Sequence, residues 1–185
     1  MNEFAQNLSV VSDDPREGRR SAHTTFLRYD SPDALFREEY ERLSRALTLI
    51  TGDVHLAEEA VQEAFARLCL NWARVSKYED QAAWVRRVAV NRARDHHRSL
   101  LRRARLLLRL ADSAPALEPA PSMDPRVAEA IRKLPLKQRT AVALFYLADL
   151  SLADVAGAMS ISEGAVKRHL SRARDGLRTI LEERS

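Results

Sequence analysis

Four of the chain's seven prolines, at 115, 119, 121 and 125, fall between positions 111 and 125. Proline lacks an amide hydrogen and its ring strikes the preceding turn, so no α-helix can run through such a stretch. The segment 111–125 therefore reads as a semi-extended, proline-rich linker. Helical spacing recurs on both sides of it, which predicts an all-α protein of two small helical domains. Composition agrees. Glycine is scarce at 5 of 185 residues and aromatics make up 6%, too few for the turns and strands of a sandwich or barrel. The 45% apolar content is enough to bury real cores.

Residues 1–30 show no sustained period and are read as a disordered tail; residues 31–110 and 126–185 are the expected domains. The tail carries Glu3 and no basic cluster before an apolar stretch, so no signal peptide is expected. No apolar run approaches the ~20 residues of a membrane span, which predicts a cytoplasmic protein with no membrane insertion. One cysteine, Cys69, excludes an internal disulfide and a multi-thiolate metal site. It is expected to be a small buried hydrophobe.

In the first domain Ser31, Pro32 and Asp33 signal a helix start. Phe36, Tyr40, Leu43, Leu47 and Ile50 follow at helical spacing, and Gly52 ends the run. Asp53 can cap a second helix with the stripe Ala57, Val61, Phe65, Leu68 and Trp72; its other face, Glu58, Glu59, Gln62 and Glu63, is acidic and expected to be exposed. After a loop at 75–79, Asp80 can cap a long third helix carrying Trp84, Val85, Val88 and Ala89. Both tryptophans are expected to anchor the core, and Asp95 to pair with Arg98 or Arg92 on its own helix.

In the second domain Asp124 with Pro125, then Pro135, open two short helices. Ser151 with Asp154 forms a capping-box pattern, and Ser162 can cap the last helix. Val155, Ala156 and Met159, with Ile161 in the turn, face Val166 and Leu170 of the next helix. That is the pattern of a helix-turn-helix, with Ala156 the small residue at the crossing. Val166, Leu170, Ala173 and Leu177 face inward, while Gly164, Lys167, Arg168, Ser171 and Arg172 share the opposite face. An α-helix fits the major groove of DNA, where Arg and Lys reach guanine edges or phosphates. Ser160 stands at a turn position whose left-handed backbone prefers glycine.

Charge is unevenly laid out. Between Asp33 and Glu63 there are eight acids (33, 38, 39, 41, 53, 58, 59, 63) against arginines 37, 42 and 45. Between Trp84 and Arg109 there are nine arginines (86, 87, 92, 94, 98, 102, 103, 105, 109) against Asp95 alone. Such segregation suggests one face for a polyanion and another for a different partner.

Two sets of segments in this order resemble extracytoplasmic-function sigma factors. Leu134-Pro135-Leu136-Lys137-Gln138-Arg139, the 150–156 run and the 162–174 run resemble that family's C-terminal DNA-binding domain. Gly52-Asp53, the 57–65 run and the 84–98 run resemble its N-terminal domain. The resemblance covers about residues 31–182. It implies a subunit that binds bacterial core RNA polymerase and directs initiation at promoters with −35 and −10 elements. By that resemblance Glu58, Glu59, Gln62 and Glu63 dock on the polymerase clamp helices, and residues 135–147 lean on the flap. Lys77, Tyr78, Arg86, Arg87, Asn91, Arg92, Arg94 and Arg98 take the −10 element. The −35 element falls to Ser162, Glu163, Gly164, Lys167, Arg168, Ser171 and Arg172. An anti-sigma factor is a candidate partner.

No nucleophile–base set, Gly-rich phosphate loop or HExxH pattern occurs, so no enzyme, cofactor or metal site is expected. A carboxylate-bridged di-metal bundle would need two Glu-x-x-His pairs, which the chain lacks, and the adjacent His96 and His97 point to different faces. The alternative function is a helix-turn-helix regulator that acts on duplex DNA without being a polymerase subunit.

Overall fold

The computed structural model describes residues 28–107 and 124–182, without the side chains of 101 and 103–107. The expected tail thus lies almost wholly outside the described residues, as does most of the expected linker. Every described element is helical: α1 (Pro32–Thr51), α2 (Val54–Val75), α3 (Gln81–Leu107), α4 (Pro125–Lys133), α5 (Leu136–Val142), α6 (Leu152–Met159) and α7 (Glu163–Glu182). A single π-helical turn, Ala143–Leu147, continues α5.

Local chemistry sets the boundaries. Ser31 Oγ accepts from the Ala34 amide, and Gly52 closes α1 at φ 79°, a left-handed backbone that costs glycine nothing. Asp53 accepts from the Leu56 amide, which starts α2, and Asp80 accepts from the Ala83 amide at the head of α3. Ser151 and Asp154 form the reciprocal capping box of α6. Ser162 accepts from the Ala165 amide at the head of α7.

Helices α1, α2 and α3 pack around Leu35, Leu43, Leu47, Ile50, Val61, Leu68, Val85 and Ala89, all with no exposed surface. Helices α4 to α7 pack around Ile131, Leu144, Val155, Val166 and Ala173. The two groups are not separate bodies. The π turn lies on α1, and α6 lies on α3, so both cores merge into one buried cluster.

Three details depart from the sequence pattern. Phe36 sits at the edge of the α1 stripe, partly exposed, stacked on Tyr40 at 4.6 Å and edge-on to Phe65 at 5.0 Å. Its place inside is taken by Leu35 and by Glu39, which is only 1% exposed. Cys69 is exposed rather than buried. It lies between the buried Leu68 and the exposed Leu70, on the side of α2 that turns away from α1 and α3. Trp72 and Trp84 do pack, half-buried, against the core, and Asp95 does pair with Arg98, at 3.6 Å.

Candidate nucleic-acid and polymerase interfaces

Helix α7 divides as its spacing predicts. Val166, Leu170, Ala173 and Leu177 are buried, while Ser162, Glu163, Gly164, Lys167, Arg168, Ser171 and Arg172 are all exposed. The turn before it is held by the Ile161 amide donating to the Ala156 carbonyl at 3.0 Å. Ser160 takes the left-handed conformation at φ 56°. Gly164 has nothing within 4 Å of where a Cβ would stand, so space on this face is open to an incoming groove.

The field there is positive. Burial, then Lys137, Arg172 and Arg168, push the His169 imidazole below its ordinary pKa. Lys137, on α5, therefore belongs to this surface although the 162–172 face omitted it. A groove of about 360 Å³ runs beside it, lined by Phe145, Tyr146, Lys167, Arg168, Ser171 and Arg174. Arg174 could have been found from its i+3 and i+7 spacing from Ser171 and Lys167.

The eight residues assigned to the −10 element do not stay together. Arg87, Asn91 and Arg98 are exposed and Arg94 is half-buried, one stripe along α3. Arg102, exposed and four residues beyond Arg98, extends that stripe. Burial and the neighbouring Arg98 depress the Arg94 pKa from its usual range. Lys77 and Tyr78 are exposed in the turn before α3.

Arg86 and Arg92 point elsewhere. Arg86 donates from Nε and Nη2 to Glu39 at 3.0 and 2.6 Å and from Nη1 to Asp154 at 3.2 Å. Burial opposes its charge, but the Glu39 hydrogen bond and the Glu39, Asp154 and Asp80 carboxylates outweigh it and raise its pKa. Arg92 Nε meets Glu63 Oε2 across the α2–α3 seam.

On α2, Glu59 and Gln62 are exposed, and Glu58 and Glu63 half-buried. The segregated charges thus partly neutralise each other, since Glu63 holds Arg92, and Glu59 lies 3.6 Å from the His96 ring. Glu59, Glu63 and His96 bring ligand atoms within 4.8 Å of one another. Arg92 already supplies the balancing cation to Glu63. His96 and His97 do face opposite ways, His97 donating from Nδ1 to the Thr51 carbonyl at 3.3 Å.

Residues 135–147, assigned to the flap, are largely covered. Thr140, Ala141, Val142, Ala143, Leu144 and Phe145 are buried, and the π turn rests on α1. Among the described residues, no helix is long and apolar enough to cross a membrane.

Comparison with known proteins gives two family matches. Residues 35–103 match the family model "Sigma-70 region 2" and residues 125–176 match "Sigma-70, region 4". The ECF RNA polymerase sigma factor SigM of Mycobacterium tuberculosis is 29% identical over 165 residues, covering 87% of this chain and 82% of that protein. The ECF RNA polymerase sigma factor SigF of Caulobacter vibrioides is 33% identical over 132 residues, covering 70% and 71%. Among solved structures, the sigma factor RpoE bound to the anti-sigma factor NepR from Bartonella quintana superposes with a TM-score of 0.65 at 21% identity. That match covers 80% of this chain and 94% of RpoE. CnrH bound to the cytosolic domain of CnrY gives 0.61, also at 21% identity, with 91% and 96% covered.

Proposed function

Because the chain belongs to the extracytoplasmic-function family of RNA polymerase sigma factors, we propose that its two helical domains divide promoter selection between them. As a sigma factor it binds core RNA polymerase and directs promoter-specific transcription. Sigma factors recognise DNA rather than catalyse, and we extend that to this chain as a non-enzyme that works in the cytoplasm beside the polymerase. In our reading residues 31–110 form the domain for core polymerase and the −10 element. Residues 126–185 form the domain for the −35 element.

The observation that carries the reading is α7. Seven polar or small residues, 162–164, 167, 168, 171 and 172, stand exposed opposite a fully packed stripe, and Lys137, Arg172 and Arg168 add to burial in depressing the pKa of His169 beside them. Arg168 and Arg172 are the base or phosphate contacts we assign first, with Lys167 a phosphate contact. Arg87, Asn91, Arg94, Arg98, Lys77 and Tyr78 are assigned to the −10 element as they stand, and Arg86 and Arg92 only once their carboxylate partners are given up. Glu58, Glu59, Gln62 and Glu63 remain the face for the clamp helices. An anti-sigma factor, as NepR is to RpoE, is a further candidate partner.

The test is transcription from purified components. Core polymerase with this chain initiates at a cognate promoter, and Arg168→Ala with Arg172→Ala abolishes initiation while retaining core binding. A double variant that transcribes normally refutes the role of α7. A chain that holds palindromic DNA as a dimer and never associates with core polymerase supports the regulator reading instead.

A further inference from the structure

We propose that Gln81 is a positioning residue for −10 recognition, and that with Arg28 and Tyr29 it clamps the loop that presents Lys77 and Tyr78. Gln81 opens α3 and is only 1% exposed. A buried amide side chain is costly unless its donor and acceptor ends are both hydrogen-bonded. Here they are: Oε1 accepts from the Tyr29 amide at 2.7 Å, and Nε2 donates to the Ser76 carbonyl at 3.1 Å. Neither bond serves the helix, whose first turn is capped by Asp80. The side chain instead joins the residues ahead of α1 and the end of α2 to the head of α3.

Ser76 follows α2 directly, so its bond to Gln81 ties the two ends of the connecting loop together. Arg28 Nη2 donates to the same carbonyl at 3.2 Å, from 48 positions away. Within the loop the Lys77 amide donates to the Arg74 carbonyl at 3.2 Å, and the Tyr78 amide to the Val75 carbonyl at 2.9 Å. Lys77, Tyr78 and Glu79 are left as an exposed outer arc on a fixed base. Tyr29 holds the far side of the clamp. Its ring packs, half-buried, against the core, just ahead of Ser31, which caps α1.

An aromatic ring stacks on any unpaired base. Given the −10 reading on which this rests, discrimination between bases therefore depends on where the loop holds the Tyr78 ring and the Lys77 charge. A loop ordered in advance loses less freedom when it binds, whereas a flexible one re-packs around a wrong base as readily as a right one. Arg28 and Tyr29 lie ahead of the segment that matches the region 2 model, residues 35–103. The clamp thus adds residues outside that segment to the part of the chain that selects promoters.

The test begins with the full chain alone. Gln81→Met matches the length of the side chain and removes both bonds. Amide hydrogen exchange at residues 76–79 should rise at least about tenfold in this variant, with the buried turns of α1 and α2 unchanged. With core polymerase, the probe is a promoter that the parent selects from a library randomised at −10, paired with versions carrying one wrong base. Gln81→Met should lower discrimination between them at least about threefold, while affinities for core polymerase and for −35 duplex stay at parent values. In a Lys77→Ala, Tyr78→Ala background the same substitution should change discrimination no further, since it acts through that loop. A merely structural role would cost the double variant as much as the parent. Unchanged exchange, unchanged discrimination, or a full further loss in the double-variant background each overturn the clamp. Should Gln81→Met not fold, the exposed Arg28→Ala is read by the same criteria, with a rise in exchange of at least about threefold. Failure of the −10 reading shows separately, as Lys77→Ala with Tyr78→Ala leaving discrimination intact; that result ends the proposed role of the loop whatever the exchange shows.

Discussion

Arg139 of α5 donates from Nη1 to the carbonyl of Ile50, in the last turn of α1, at 3.3 Å. Helix α1 has no basic residue of its own in that turn, where the aligned peptide dipoles leave partial negative charge. The same guanidinium reaches the Leu134 carbonyl at 3.2 Å and the Arg132 carbonyl, at the end of α4. One cation thus closes the C-termini of two helices from opposite domains. Burial and the nearby Arg132 lower its pKa, and no carboxylate pairs with it among the described residues.

Removing that cation leaves several buried carbonyls without donors. Arg139→Met should destabilise the chain by about 2–4 kcal/mol, measured by urea denaturation. Arg139→Lys should restore less than half, because an ammonium cannot span the three acceptors as a planar fork does. Wild-type stability in Arg139→Met would remove the cap from the account.

His97, also at this seam, predicts a pH dependence. Burial first, then Arg139, holds its imidazole below the ordinary value of 6.5 despite the Thr51 hydrogen bond. The folded state therefore keeps the ring neutral, while the unfolded chain takes up a proton near pH 6.5. The stabilising contribution is present above that value and is lost as pH falls through the lower folded value. Thermal melts from pH 7.5 to 5 should show a steeper loss for the parent than for His97→Gln, and parallel curves would rule this ring out.

On the DNA side, salt dependence separates phosphate from base contacts. Lys167→Ala should weaken binding of any duplex and reduce the slope of log K against log salt by about 0.9, one phosphate's worth. Arg168→Ala or Arg172→Ala, if either reads a base, should instead cost about 1–3 kcal/mol at the cognate site and little at random sequence. Fluorescence anisotropy at several salt concentrations distinguishes them.

The helix-turn-helix also carries two backbone penalties that can be relieved. Ser160→Gly removes a non-glycine left-handed residue and Gly157→Ala fills an exposed mid-helix position with nothing within 4 Å. Each should stabilise by about 0.5–1 kcal/mol, visible as a higher Tm. A lower Tm for Gly157→Ala would mean that α6 needs that glycine for something other than helix formation.

The helices and their caps were legible because each rests on local chemistry. Ser31, Asp53, Asp80, Ser151 and Ser162 cap through their own side chains, and Gly52 ends α1 by its own backbone. The outward face of α7 followed from the 3.6-residue period alone. What the sequence did not disclose depends on residues far apart in the chain. Nothing local marks Glu39 as buried among the other α1 acids, since its partner Arg86 lies 47 positions away. Arg86 in turn looked like one more exposed arginine until α6 supplied Asp154. Cys69 misled because cysteine is usually buried, whereas here its place on the outer side of α2 decides.

The pairing of Glu63 with Arg92 bears on how a cationic protein would settle on α2. Such a visitor finds one acid already engaged and must trade places with a resident guanidinium, so little is gained at that position. On the docking proposed for α2, Glu58 and Gln62, which hold no such commitment among the described residues, would set the strength of attachment. On the proposed role of this face, a handhold that exchanges partners instead of locking would make attachment readily reversible.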